Sequence, residues 1–446
     1  MEIQREFFDF LKSWKRTKRD ECLLIKGARQ IGKTFIVEKF GRECYENLVE
    51  INFIEQPEFC AAFEGSLDAD TILSKISVMA PSARYLRGGR TLLFLDEIQE
   101  CPNARTALKF LATDNRCDVI ASGSLLGIKF KKGRKRKAPK SIPVGFERQV
   151  TMHSLSFREY LRAEGYGDDQ LAVLAGYFER RETVPDAIND KFNALVREYI
   201  VIGGMPKVVS TYLENRNHGE AQVEQEKILA AYVDDIHKYA EAPDIPKIED
   251  CYRAIPRILA AENHKFKYSE VEKGGTARKY LASVEWLRGA RLVSMAECVQ
   301  NLECGISAYV RDSWFKLYFA DIGLLSSMYG MSVKRRILDG TLAGSMKGGV
   351  YENFLAGVLE RAGFPLYYYK TEQGDVEVEF VLENADGVVP IEVKAGNGTS
   401  ISLNRSLQKS TVPYGFKFTS GNVGVEGKKI SLPHYMALFV KPLRSF

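Results

Sequence analysis

The sequence predicts an α/β fold. A three-layer sandwich around a parallel sheet is expected at its amino-terminal end, then a helical segment, then a smaller α/β domain. Three observations predict this. Short apolar runs at 22–25, 91–95 and 118–121 alternate with stretches of helical period, as parallel strands covered on both faces require. The first of these runs passes through a glycine-bearing turn directly into a helical pattern. Near the carboxyl-terminal end, a helical stretch precedes strand-like runs, in one of which the charged residues 392 and 394 fall at alternate positions.

The turn is Gly27-Ala28-Arg29-Gln30-Ile31-Gly32-Lys33-Thr34, which fits G-x-x-x-x-G-K-[ST] without a mismatch. Its glycines let backbone N–H groups curl around phosphate oxygens, and the helix beginning there adds its positive end. Lys33 is expected at the β- and γ-phosphates and Thr34 on Mg²⁺. This is the phosphate loop of a P-loop NTPase, so ATP and Mg²⁺ are the expected ligands. The run Thr91-Leu-Leu-Phe-Leu-Asp96-Glu97 supplies the other half of such a site. Asp96, at the end of a buried strand, would hold the metal, and Glu97 would orient or deprotonate the attacking water. Ser122 or Ser124, at the end of the next strand, would report the γ-phosphate.

The remaining elements follow in order. Residues 1–20 read as an amphipathic helix packed on the sheet edge, and strands near 48–54 and 149–152 complete five parallel strands. Between the last two strands lies Lys129-Phe-Lys-Lys-Gly-Arg-Lys-Arg-Lys137, without apolar period, read as a loop that is either solvated or set against phosphate. Residues 157–240 are helical, broken at Gly203-Gly-Met-Pro206. His237 has no second ligand in sequence and is read as structural. Helices at 244–262 and 276–288, then strands at 292–299 and 306–310, follow the order of a winged helix whose Arg278, Lys279 and Arg288 could face DNA. The expected domains are therefore 1–156, 157–243, 244–340 and 341–446: ATPase core, lid and linker, winged-helix-like and carboxyl-terminal.

Composition sets outer limits. At 45% hydrophobic and 27% charged residues, the chain is neither disordered nor fibrous. A net charge of +5 permits a nucleic-acid partner without arguing for one. Eight cysteines without a C-x-x-C pair, no signal-like start and no bilayer-length apolar run give an expectation of a reduced, cytoplasmic protein with no membrane partner.

Gly27–Thr34, Leu93-Phe-Leu-Asp-Glu-Ile98 and Gly123-Ser124 resemble the AAA+-related predicted ATPases common in bacteria and archaea, in which an ATPase domain is joined to a carboxyl-terminal domain of uncharacterised role. The resemblance continues through Ser141-Ile-Pro-Val-Gly145, Leu155-Ser-Phe-Arg-Glu-Tyr160, Val201-Ile-Gly-Gly-Met-Pro206, Asp235-Ile-His-Lys-Tyr239 and Lys316-Leu-Tyr-Phe-Ala-Asp-Ile-Gly-Leu-Leu325. It allows a homo-oligomer in which a neighbour's basic residue completes the ATP site. The family often has a basic residue where Phe146 stands; Arg148 and Arg29 are alternatives without an assigned role. At the far end, Glu352, Glu379 and Glu392-x-Lys394 resemble the site of PD-(D/E)XK nucleases, which implies carboxylates around Mg²⁺ and a lysine beside the attacking water. Such sites usually have Asp where Glu379 stands. Three functions stay open from sequence: an ATPase coupled to DNA or a protein partner, an ATP-regulated DNA endonuclease, and a nucleotide-switched binding protein with an inactive nuclease fold.

Overall fold

The structure is a computed structural model that describes residues 3–80, 83, 89–124, 145–396 and 398–442. It divides into two compact units, one built from 4–153 with 289–291, the other chiefly from 154–288 and 292–446.

In the first unit the elements are α1 (Glu6–Thr17), β1 (Cys22–Lys26), α2 (Lys33–Cys44), β2 (Asn47–Asn52), α3 (Ala69–Met79), β3 (Thr91–Asp96), α4 (Pro102–Asp114), β4 (Asp118–Gly123) and β5 (Glu147–Thr151). The five strands are all parallel in the order β2-β3-β4-β1-β5. Every residue of β3 and β4 is buried, which is why those runs read as uninterrupted apolar stretches. Asp68 starts α3 by accepting a bond from the Thr71 N–H at 2.8 Å. The amphipathic helix α1 differs from expectation in its main partner. It lies against α2, with Phe8 edge-on to Phe40, and reaches the edge strand β5 where Arg148 lies over the Phe10 ring. Leu11 and Trp14 are the buried residues of α1, and Phe40 is among those of α2.

The second unit begins with helices α5 (Phe157–Ala163), α6 (Asp168–Arg180), α7 (Asp186–Ile202), α8 (Pro206–Asn215), α9 (His218–Tyr239), α10 (Ile245–Ala260), α11 (Tyr268–Val271) and α12 (Ala277–Gly289). Then come β6 (Val293–Val299), β7 (Val310–Phe319), α13 (Ile322–Tyr329), α14 (Met331–Leu338), α15 (Gly344–Arg361), β8 (Tyr367–Lys370), β9 (Glu377–Asn384), β10 (Gly387–Val393), α16 (Ile401–Ser406), β11 (Gly415–Thr419), β12 (Gly424–Glu426) and β13 (Lys429–Pro433). The second strand expected of the wing, at 306–310, lies later. Ile306–Tyr309 is a 3₁₀ turn behind left-handed Gly305, and β7 starts at Val310. Nor is the β6–β7 hairpin a free wing, because β6 also pairs in parallel with β8. All eight strands from β6 onward form one sheet, β12-β13-β11-β10-β9-β8-β6-β7, so strands from both sides of residue 340 share a core. Helix α15 crosses that core with every residue from Gly349 to Leu359 buried.

Three of the sequence motifs acquire a structural reason here. In Leu155–Tyr160, Ser156 and Glu159 make a capping box at the start of α5. Gly203, Gly204 and Gly323 let backbones touch: a Cβ on Gly204 would meet the Leu155 carbonyl oxygen at 2.1 Å, and one on Gly323 would meet that of Ile202 at 2.3 Å. Asp321 joins both segments. Its carboxylate accepts from the N–H groups of Gly204 (2.8 Å), Gly323 (3.0 Å) and Leu324 (3.3 Å) and from the Ser154 hydroxyl (2.7 Å).

Candidate functional site

Parallel pairing puts the carboxyl ends of β1, β2, β3 and β4 on one edge of the first unit's sheet, where α/β folds bind ligands. The phosphate loop leaves β1 at that edge. Gln30 and Gly32 take left-handed φ values of 65° and 88°, so the chain turns sharply before α2 begins at Lys33. The residue before α2 is Gly32, which has no side chain to cap the helix. A Cβ at Gly27 would lie 2.5 Å from the Met152 carbonyl oxygen, which presses the loop onto the chain leaving β5. Arg5 adds a tie that sequence reasoning missed, donating to the carbonyls of Ile31 (3.0 Å) and His153 (2.7 Å). Nothing in the sequence around Arg5 signals this, because both partners are backbone atoms.

Lys33 is buried and donates to the loop's own carbonyls at Gly27 (3.1 Å) and Ala28 (2.8 Å). The Thr34 hydroxyl donates to Asp96 Oδ2 at 2.7 Å. Asp96, 1% exposed, also accepts from the Ser122 hydroxyl, the Glu97 N–H at 3.0 Å and the Asn52 amide at 3.4 Å. Thr34 and Asp96 thus converge as a Mg²⁺ site requires, and the residues present fit Mg²⁺ with a nucleotide. Glu97 follows in a left-handed conformation (φ 51°, ψ 45°), a strained position of the kind concentrated at functional sites, and bonds to the Gln99 amide. Ser122 is committed to Asp96, whereas Ser124 is buried just beyond the end of β4. Glu50 on β2 was missed as well. Burial, then the charges of Glu38 and Asp96, raise its carboxyl to about 7.

The second unit gathers Glu352 from α15, Glu379 from β9, Glu392 from β10 and Lys394 just after it. Lys394 Nζ is 3.3 Å from Glu392 and 3.9 Å from Glu379. Three further residues enter this cluster. Lys316 on β7 reaches Glu352 at 3.4 Å and Glu377 at 2.9 Å, the Tyr318 hydroxyl donates to Glu352 at 3.1 Å, and His264 Nδ1 is 2.8 Å from the same carboxylate. Lys316 and Tyr318 are two apart on a strand, so they share a face. That spacing was legible; their destination was not. Burial raises the Glu352 carboxyl, but Lys316 and His264 outweigh it and bring it to about 2. Glu379 goes the other way, to about 7, through burial and the charge of Glu352.

Among the described residues, no group of three His, Cys, Asp or Glu side chains is placed to hold a metal ion. Instead, Lys316 lies against Glu352 and Glu377, and Lys394 against Glu379 and Glu392.

The other expected residues stand apart from both clusters. Arg148 pairs with Glu21 at 3.8 Å. His237 pairs with Glu249. On α12, Lys279 is held by Glu272, Arg288 by Glu285, and Arg278 is exposed. The basic run Lys129–Lys137, with Ser141–Val144, lies outside the described residues. The eight cysteines are unbridged. Among the described residues, no helix is long and apolar enough to cross a membrane.

Residues 19–161 match the AAA domain family. Residues 193–335 and 347–437 match two families described as domains of unknown function, DUF8612 and DUF4143. No curated protein matches the chain. Among solved structures, the Walker-type ATPase PABY2304 of Pyrococcus abyssi is similar at 15% identity and TM-score 0.42, over 74% of this chain and 96% of that one. The Aeropyrum pernix ORC1 protein, solved in complex with DNA, is similar at 13% identity and TM-score 0.27, over 76% and 95%. AMPPCP-bound DnaA from Aquifex aeolicus is similar at 12% identity and TM-score 0.28, over 64% and 86%. Motif, parallel sheet and family match agree for the amino-terminal third: residues 19–161 form an AAA-related P-loop domain.

Proposed function

We propose that the chain is a Mg²⁺-dependent ATPase that couples turnover to binding by its carboxyl-terminal unit. The carrying observation is the junction at which Thr34 and Ser122 both donate to Asp96 beside the phosphate loop. Thr34 and Asp96 would hold Mg²⁺, which would supply charge compensation for the phosphates. Gly27, Ala28, Arg29, Gln30, Ile31 and Gly32 shape the loop whose N–H groups bind phosphate, and Lys33 exchanges its carbonyl partners for phosphate oxygens. Ser122 fixes the Asp96 carboxylate in place. Ser124 is then the residue to sense the γ-phosphate. Glu97 orients and deprotonates the water, its backbone conformation set by the strand end.

For the partner, DNA is supported by the exposed Arg278 on α12 and the basic composition of 129–137, and a protein partner is the alternative outcome of the same test. The test is binding of a fluorescent ATP analogue by wild type and Lys33→Ala, then phosphate release with and without duplex DNA. Tight nucleotide binding lost in Lys33→Ala supports the reading. Equal binding by both proteins refutes it. Acceleration by DNA assigns the partner; indifference to DNA moves it to a protein.

The convergence of Glu352, Glu379, Glu392 and Lys394 favours a second reading, an ATP-regulated endonuclease on a nuclease-like domain. Metal-dependent nicking that disappears in Glu392→Ala would support it. Absence of nicking leaves the nucleotide-switched binding protein.

A further inference from the structure

We propose that Lys316 is the built-in cation of the carboxyl-terminal carboxylate cluster, which makes the cluster a closed ion-pair centre and not a divalent-metal site. The nuclease-like resemblance implies a metal here, and the residues present do not fit one.

A carboxylate that ligates Mg²⁺ must present a free lone pair at about 2.1 Å to an octahedral ion. Glu352 already faces cationic and hydroxyl donors on both oxygens: His264 lies 2.8 Å from Oε1, while Lys316 at 3.4 Å and the Tyr318 hydroxyl at 3.1 Å meet Oε2. Glu377 is likewise taken on both oxygens, by Lys316 at 2.9 Å and Lys370 at 2.6 Å. Glu379 Oε2 accepts from the Val393 N–H at 3.0 Å. Glu379 Oε1 has Lys394 at 3.9 Å, and Glu392 Oε2 and His264 Nε2 are buried and without a hydrogen-bond partner among the described residues. Two carboxylate oxygens, one of them beside an ammonium group, and one ring nitrogen fall short of an octahedral oxygen set.

Charge leads to the same place. Glu352, Glu377, Glu379 and Glu392 are met by the ammonium groups of Lys316, Lys370 and Lys394, with His264 as a further cation when protonated. A divalent ion would add two positive charges to a buried cluster that is already near balance. Lys316 itself is 2% exposed and lies over the Tyr368 ring at 5.0 Å. Its pairing also has a structural use. Through Glu352, Lys316 and His264 it ties α15, β7 and the chain after α10 together, helped by the Phe266 N–H to Phe315 carbonyl bond at 2.9 Å.

This inference is independent of the ATP site and bears on the endonuclease reading. The test is Mn²⁺ binding followed by electron paramagnetic resonance, with nucleotide-free full-length protein carrying Asp96→Asn to silence the phosphate-loop site. That parent is expected to bind no Mn²⁺ at concentrations up to about 1 mM, a range in which weak protein cation sites fill. Lys316→Met, which keeps the stem and removes the charge, is expected to gain one site at least about tenfold tighter than any in the parent. Lys316→Arg is expected to stay refractory. A parent that binds Mn²⁺ and loses it in Glu392→Gln overturns the proposal, and so does a folded Lys316→Met that gains nothing. If Lys316→Met does not fold, the parent titration with and without Glu392→Gln decides alone. Failure of the ATPase reading would leave each of these outcomes unchanged.

Discussion

Replacing Asp321 by alanine removes one small side chain and leaves three buried backbone donors, on Gly204, Gly323 and Leu324, together with the Ser154 hydroxyl, short of an acceptor. A hydrogen bond to a charged group contributes about 1.5–3 kcal/mol, and a stranded buried donor costs about 1–3 kcal/mol. The losses do not add fully. Water can reach part of the gap, and Arg361 also bonds Ser154 at 2.7 Å. A net loss of about 3–5 kcal/mol is therefore expected, the range for breaking a buried polar network. For a unit of this size that corresponds to a fall in Tm of about 5–8 °C. Asp321→Asn keeps one carbonyl oxygen for the N–H groups of α13 and should lose about half as much. Differential scanning calorimetry on the full chain would read both variants, with urea unfolding followed at the aromatic residues as a check. An Asp321→Ala protein that melts within about 2 °C of wild type would refute the claim that this carboxylate holds the two glycine segments together.

Four further outcomes are expected. Gly204→Ala places a Cβ 2.1 Å from a backbone oxygen that cannot swing away, so it should destabilise the chain by about 2–4 kcal/mol in urea unfolding. Arg5→Ala frees the phosphate loop at Ile31 while touching no ligand, so nucleotide affinity in a fluorescence titration should fall about tenfold with the melting temperature little changed. Glu379→Gln tests the raised carboxyl. Below about 4.5 both folded and unfolded chains hold the proton; as pH rises to about 7 the unfolded chain ionises first, and stability falls by up to about 1.4 kcal/mol per pH unit. Wild type should lose stability across that window, facing Glu352, Glu392, Lys316 and Lys394, and Glu379→Gln should lose less. A variant with the same slope as wild type would remove Glu379 as the cause. Glu352, held near 2, should act in the opposite sense and only below about 4.5, where acid takes its ion pairs away.

The two clusters were legible to different degrees because of how their residues are carried. Asp96, Ser122 and the phosphate loop sit at the carboxyl ends of neighbouring parallel strands, so buried apolar runs ending in polar residues announce both the sheet and the site. Arg5 and Asn52 join that site through a backbone carbonyl and a single amide, which leave no pattern. In the second unit, period-2 spacing was enough to put Glu392 and Lys394 on one face. It was not enough to show that β6 pairs with β8, an interaction across more than sixty intervening residues that turns an expected wing into part of a larger sheet. Without that pairing, Lys316, Tyr318 and His264 had no visible route to Glu352. The motifs at 201–206 and 316–325 read as family marks without chemistry, and their reason proves to be steric: glycines where backbones touch, and an aspartate between them.

The central claim is that Glu97 and Asp96 make the phosphate loop a hydrolytic site, and phosphate release from ATP measures it most directly. Wild type, Lys33→Ala and Glu97→Gln would be compared in Mg²⁺ at saturating ATP, with nucleotide binding measured on the same preparations. The account predicts release by wild type, loss of both binding and release in Lys33→Ala, and retained binding with release reduced about 100-fold or more in Glu97→Gln. Release by wild type no faster than by Lys33→Ala would contradict it.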